Sequence, residues 1–283
     1  MTSYLIVGAG GMLGQDLRAT LVGRDVTALP RTALDISIAA DVEQALAGYD
    51  VVLNAAGYTA VDLAETHEDD AVLVNASGAE NLAKAAAATG ARLVHVSTDY
   101  VFDGAAASPY PEGFRLDPQG AYGRSKAEGE RRIRAALNDA IIVRTAWTYG
   151  QHGPNFAATM LRLAAERETV DVVDDQRGQP TWTLDLAARI VEMLDADVPG
   201  GTYHGTNAGS ASWFEFAREI FSLAGLDPER VKPISSAHFV RPAPRPAYSV
   251  LGHDGWAAVG LLPMRPWQDA LSAAFAAGAV GAP

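Results

Sequence analysis

Tyr4-Leu5-Ile6-Val7-Gly8-Ala9-Gly10-Gly11-Met12-Leu13-Gly14 opens the chain with an apolar run and a glycine-rich turn, and the sequence continues Gln15-Asp-Leu-Arg-Ala-Thr-Leu21. Four apolar residues bounded by glycine read as a buried strand, and the stretch after the turn has a helical period. Gly8, Gly11 and Gly14 stand at every third position. Glycines so placed permit a tight turn, let a pyrophosphate approach the backbone and bring helix and strand close, while the helix N-terminus offers amide donors to the phosphates. Strand, turn and helix arrive in the order a dinucleotide site requires. The three glycines, with Met12 and Leu13 between them, are therefore the first expected cofactor-binding residues.

Outward from this unit, apolar strands are predicted at 26–29, 51–56, 92–97 and 141–145. Helices are predicted at 39–47, at 69–88 and around Tyr122. Alternation at this spacing implies a parallel sheet with helices on both faces. The fold expected is α/β, a Rossmann-like doubly wound sheet over residues 1–150. A smaller substrate-binding lobe is expected over 151–283, partly interleaved with the first part, with helices at 155–167, 184–194 and 213–223. The end of the second strand bears on the cofactor, because an acid there binds ribose hydroxyls and a basic residue accommodates an extra phosphate. Leu29-Pro30-Arg31-Thr32 holds no acid until Asp35. Arg31 leans the reading to NADPH, with NADH the alternative.

The 283 residues carry a formal charge of −12 and no cysteine. The acidity argues against nucleic acid as a partner, which would require a basic face. The absence of cysteine excludes disulfides and thiolate chemistry and fits a cytoplasmic protein. No run of 18 apolar residues marks a membrane span, and the start lacks the basic region of a signal peptide. An anionic ligand would have to be met locally, with Arg144, Arg177, Arg241 and Arg245 as candidates.

Tyr122-Gly-Arg-Ser-Lys126 supplies chemistry. Residues at i and i+4 share a helix face, so Lys126 is expected beside the Tyr122 hydroxyl. A nearby cation favours the phenolate and brings its pKa down from about 10. Such a phenol exchanges a proton with a developing alkoxide. His95-Val-Ser97-Thr98-Asp99-Tyr100 ends a core strand at the sheet edge where ligands bind. A Thr98 hydroxyl there polarises a substrate carbonyl. Thr98, Tyr122 and Lys126 together point to carbonyl reduction by hydride transfer.

These segments, with Asn54-Ala-Ala-Gly-Tyr-Thr-Ala-Val-Asp-Leu-Ala-Glu65, Ser97–Gly104, Arg144–Tyr149, Asn155-Phe156, Asp174–Thr181 and Arg245-Pro246 with Ser249, resemble the extended short-chain dehydrogenase/reductases that act on dTDP-sugars. The resemblance covers almost the whole length. It implies NADPH- or NADH-dependent reduction at C4 of a dTDP-4-keto-6-deoxysugar, foremost dTDP-4-dehydro-L-rhamnose. Another dTDP-4-keto sugar, of a dihydrostreptose or antibiotic branch, is the near alternative. A non-catalytic NADP-binding regulatory subunit is the distant one. Tyr122 would donate the proton, Lys126 would hold the nicotinamide ribose and Thr98 would bind the keto oxygen. Ala55, Ala56, Thr59 and Ser97 would line the cofactor. Val61, Asp99, Tyr100, Trp147, Asn155, Gln176 and Arg245 would contact the substrate. Some relatives dimerise around magnesium held by two glutamates; Asp16 and Leu184 stand at those positions, so no metal and a monomer or weak homodimer are expected. Gly57 replaces a bulkier residue of many relatives.

Overall fold

The computed structural model describes residues 1–280. Five parallel strands follow the sequence reading closely: β1 (Ser3–Val7), β2 (Asp25–Leu29), β3 (Val51–Asn54), β4 (Arg92–Thr98) and β5 (Ile141–Thr145). A sixth, Gly201–His204, completes a sheet whose spatial order is Gly201–His204, β5, β4, β3, β1, β2. Register brings Val7 level with Leu29 and Asn54, Asn54 level with His95, and Thr98 level with Thr145. The strands thus share one C-terminal edge. Strand order reverses between β1 and β3, which opens a ligand crevice there in sheets of this kind.

Alternate β1 side chains feed two cores, as the two-residue period of a strand requires. Leu5 and Val7 pack with residues from α2 (Ala39–Leu46), α5 (Ala79–Thr89) and α6 (Ala121–Ala136). Tyr4 and Ile6 pack on the other face with Leu17 of α1 (Met12–Thr20) and with Ile190 and Met193 of the helix Thr183–Asp195. Residues beyond 150 contribute to that second face. A lone α1 would leave much of the face bare, so the chain returns to supply the helix Thr183–Asp195, the sixth strand and the buried Trp256. A separate core gathers Tyr149, Met160, Phe216, Ile220, Trp267 and Leu271 in a second lobe.

After α3 (Val61–Ala64), the helix predicted at 69–88 runs without a gap from α4 (Glu68–Val72) to α5 and carries a π-helical turn, Leu73–Gly78, between them. Gly129 of α6 lies against the Asn75 carbonyl so closely that a Cβ there would collide with it. The wide turn aims the Asn75 amide at the loop after β3 and at α6. Its side chain accepts from Tyr58 N (2.8 Å) and donates to Tyr58 O (3.0 Å) and Ser125 Oγ (2.9 Å).

Candidate active site

The crevice at the β1/β3 switch point has a volume of about 220 Å³ and is walled by Gly8–Gly11, Arg31, Asp35 and Ala55–Gly57, among others. Its floor depends on glycine. Gly8 has φ +79°, and a Cβ there would sit 2.5 Å from Ala56 N; one on Gly14 would strike the Gly8 carbonyl. The α1 N-terminus has no side-chain cap and no acidic residue in its first turn, leaving its amide donors for an anion. These features fit a dinucleotide. Arg31 is exposed at the rim. The Asp35 carboxylate accepts from Ser37 Oγ (2.7 Å) and Ser37 N (3.0 Å), bonds that hold its pKa below the usual carboxylate value. With Asp35 occupied by its own turn, Arg31 is the charged side chain at this rim that could meet a 2′-phosphate. Ala55 and Ala56 line the crevice as expected, whereas Leu13 packs under β1, Gly14 is buried, and Thr59 is exposed outside the wall.

The candidate reacting groups Thr98 and Tyr122 converge where β4 ends. Thr98 is buried; its hydroxyl donates to Asp99 Oδ1 (3.0 Å) and accepts from Tyr100 N (3.2 Å). Tyr122 enters from the first turn of α6, whose leading amide, Ala121 N, is capped by Glu65 Oε1 at 2.8 Å. The Tyr122 ring is half-buried and stands edge-on to Tyr100, with centroids 5.6 Å apart. Burial pushes its phenol up to about 12; the Thr98 hydroxyl opposes this and the Asp99 carboxylate adds to it. The expected lowering by Lys126 is absent. Lys126 is buried and turned to β4, where its Nζ donates to Val96 O (2.6 Å) and lies 3.3 Å from His95 Nε2. Burial draws this amine down to about 8.

Asp99 is 2% exposed and burial raises its carboxyl to about 6, against the pull of Ser249 and Thr98. Arg245 stands over the Tyr100 ring (6.0 Å) and pairs with Asp62 (3.0 Å), so Tyr100, Arg245 and Tyr122 belong to one wall; Val61 precedes Asp62 at the start of α3. Arg241 grips the same carboxylate through Nε at 3.0 Å. Trp147, two residues beyond the Thr145 that pairs with Thr98, has φ +45° and stacks on Trp213 at 3.5 Å. A positive φ at a bulky residue is strained, and such strain clusters at functional sites. Gln176 is half-buried beside Arg177.

Four side chains expected at ligands have partners within the protein itself. The Ser97 hydroxyl, expected on the cofactor, is buried and donates to Glu130 Oε1 at 2.6 Å. Residues two apart on a strand share a face, so Ser97 meets α6 on the same side as His95, which lies against Lys126. Asn155, expected on the substrate, spends its amide capping the helix Phe156–Glu166: it accepts from Ala158 N and donates to Gly150 O and Gly153 O. Arg144, a candidate for an anionic ligand, is buried in a two-pronged pair with Glu130 (2.9 and 2.7 Å). Arg177 is likewise paired, with Glu215. Sequence reasoning passed over Asn54, Glu65, Asn75, Glu130 and His95. The available signal was a histidine inside an apolar strand and an asparagine closing another.

A sequence profile described as "RmlD substrate binding domain" matches residues 1–279. The chain belongs to this RmlD family. Among its relatives is a dTDP-4-dehydrorhamnose reductase of Mycobacterium tuberculosis (strain ATCC 25618 / H37Rv), 49% identical over 280 residues, or 96% of this chain and 92% of the relative. A probable dTDP-4,6-dihydroxy-2-methyloxan-3-one 4-ketoreductase of Streptomyces antibioticus is 49% identical over 282 residues, covering 96% of this chain and 94% of that one. The crystal structure of a dTDP-4-dehydrorhamnose reductase from Bacillus anthracis str. Ames in complex with NADP superposes with a TM-score of 0.94 at 40% identity, covering 98% of this chain and all of that one. In this RmlD-family chain Asp16 is buried, with Thr183 and His152 beside it, and Leu184 packs against the aromatic core of the second lobe. Among the described residues no helix is long and apolar enough to cross a membrane.

Proposed function

We propose that this chain reduces the C4 keto group of dTDP-4-dehydro-L-rhamnose with NADPH, giving dTDP-L-rhamnose. The observation that carries the reading is the meeting of Thr98 and Tyr122 at the C-terminal edge of β4, beside a crevice suited to a dinucleotide. The names of the mycobacterial and Bacillus relatives, and the NADP bound to the latter, support it. Gly8, Gly11 and the α1 N-terminus would hold the pyrophosphate, Arg31 the 2′-phosphate and Lys126 the nicotinamide ribose. NADPH bound there supplies the hydride. The protein supplies the proton and the orientation. Thr98 and Tyr122 fix the carbonyl oxygen from one side, and the Tyr122 Oη–H is transferred to that oxygen as C4 is reduced. A phenol held at about 12 is fully protonated at neutral pH, which suits a donor to a more basic alkoxide. Asp99, Tyr100 and Val61 border the sugar, with Arg245 on the same wall as Tyr100.

The equal similarity of the Streptomyces antibioticus relative favours, as a second reading, a different dTDP-4-keto sugar. A regulatory subunit has no use for a hydroxyl–phenol pair at the sheet edge. With Leu184 apolar and packed in the core, the same reading carries no metal bridge between subunits and a monomer or weak homodimer in the cytoplasm. The test is NADPH and NADH oxidation at 340 nm with a panel of dTDP-4-keto sugars and product identification. Tyr122→Phe is expected to lose roughly 10²- to 10⁴-fold in kcat, the usual weight of general acid catalysis, while still binding NADPH. Undiminished turnover in that variant, or no turnover with any dTDP-keto sugar, overturns the proposal.

A further inference from the structure

Behind Lys126 lies a buried polar chain that fixes which nitrogen of a histidine carries its proton. Asn54 Oδ1 accepts from Ala56 N at 3.0 Å, so the orientation of the Asn54 amide is set and its Nδ2 donates to His95 Nδ1 at 2.8 Å. Asn54 and His95 are each 1% exposed, and burial with the nearby Lys126 holds the imidazole pKa far below its usual value. A neutral ring that accepts at Nδ1 carries its proton on Nε2. That Nε2 lies 3.3 Å from Lys126 Nζ. An ammonium there faces an N–H with its own N–H groups, donor against donor. A free amine instead accepts from Nε2–H through its lone pair and still donates to Val96 O.

We propose that His95 is a positioning residue which, oriented by Asn54, weakens the hold of Lys126 on its proton in the free protein, so that binding of the nucleotide cofactor is coupled to protonation of Lys126. The inference rests on the reading that Lys126 holds the cofactor ribose as an ammonium. The other groups facing Lys126 are few. Glu130, one turn along α6, raises its pKa but is paired with Arg144 and Ser97; Gly57 closes the crevice side with no side chain. Nothing in this arrangement depends on the sugar, so it stands or falls apart from the identity of the substrate.

The experiment is isothermal titration of the full chain with NADP⁺ between pH 7 and 10. In the wild type, affinity falls with a break near the free-protein value of about 8. If only the ammonium binds, this is a loss of roughly tenfold between pH 7 and pH 9. His95→Gln can turn an acceptor to Nζ and moves the break up, leaving less than about a twofold loss at pH 9. Asn54→Asp keeps the Ala56 bond but accepts from Nδ1–H, which bares Nε2 and moves the break the same way with His95 still present. Lys126→Met abolishes the break. A purely structural role for His95 would change affinity equally at every pH. A wild type without the break, or a break unmoved in both His95→Gln and Asn54→Asp, overturns the proposal.

Discussion

Substituting Glu130 by glutamine tests how the helix that carries Tyr122 is anchored. Glu130 and Arg144 are each 5% exposed by side chain and joined by two bonds of 2.9 and 2.7 Å. Removing one member of a buried pair typically costs about 3–5 kcal/mol, because the other charge remains in the interior. Arg144 would keep its bond to Glu112 O (2.9 Å) and its place over the Phe102 ring (5.0 Å), and glutamine can still accept from Ser97. The lower end of the range, about 3 kcal/mol, is therefore expected. For a chain of this size each kcal/mol moves the melting midpoint by roughly 2–4 °C, giving a fall of about 6–12 °C. Calorimetric melting of Glu130→Gln measures it. The double variant Glu130→Met with Arg144→Met is expected to recover most of the loss, since an apolar replacement of a buried pair is often neutral. A fall of less than about 2 °C in the single variant, or a double variant no better than the single, refutes the reasoning.

Two further outcomes follow from the site. Asp99 has a folded pKa of about 6 against an ordinary 3.8, so the folded state binds the extra proton between those values. Its burial therefore costs nothing below about pH 4 and costs progressively more up to pH 6, reaching at most about 3 kcal/mol at 1.36 kcal/mol per pKa unit. Asp99→Asn should thus stabilise the chain at pH 8, leave it unchanged at pH 4 and lower turnover; urea unfolding at the two pH values decides, and equal effects at both would contradict the assignment. Arg31→Ala removes a charged contact worth about 1.5–3 kcal/mol, so kcat/KM for NADPH should fall roughly 10- to 100-fold with NADH little affected. Parallel losses with both cofactors would remove Arg31 from the 2′-phosphate.

The alternation of apolar strands and helices made the sheet legible, because a strand buried on both faces leaves a continuous apolar run such as Val51–Leu53 or Ile141–Val143. The glycine turn was legible for the same local reason. The sixth strand, Gly201–His204, escaped notice because an edge strand containing Gly201 and Thr202 carries little apolar signal. At the site, residue type and spacing single out Thr98, Tyr122 and Lys126 but not the direction of the lysine. That direction is set by Val96 O and His95, groups on another element whose contact with α6 is tertiary. The bonds of Ser97 and Arg144 are hidden for a similar reason: their partner Glu130 sits 33 and 14 residues away, and local sequence does not encode such a pairing.

The π turn at Leu73–Gly78 has a consequence for how this enzyme scaffold can change. A π turn behaves as an α-helix holding one surplus residue. Deleting that residue would let Glu68–Thr89 run as one regular helix, and each residue in such a helix accounts for about 100° of rotation. Asn75 would swing away from Tyr58 and Ser125, and the wall between the cofactor crevice and α6 would lose its three bonds. A shorter, more regular helix would then come with a looser floor beneath Tyr122. The irregular turn marks a place where the chain gives up local regularity to hold its chemistry, and where single-residue deletions should be tolerated by the fold but not by catalysis.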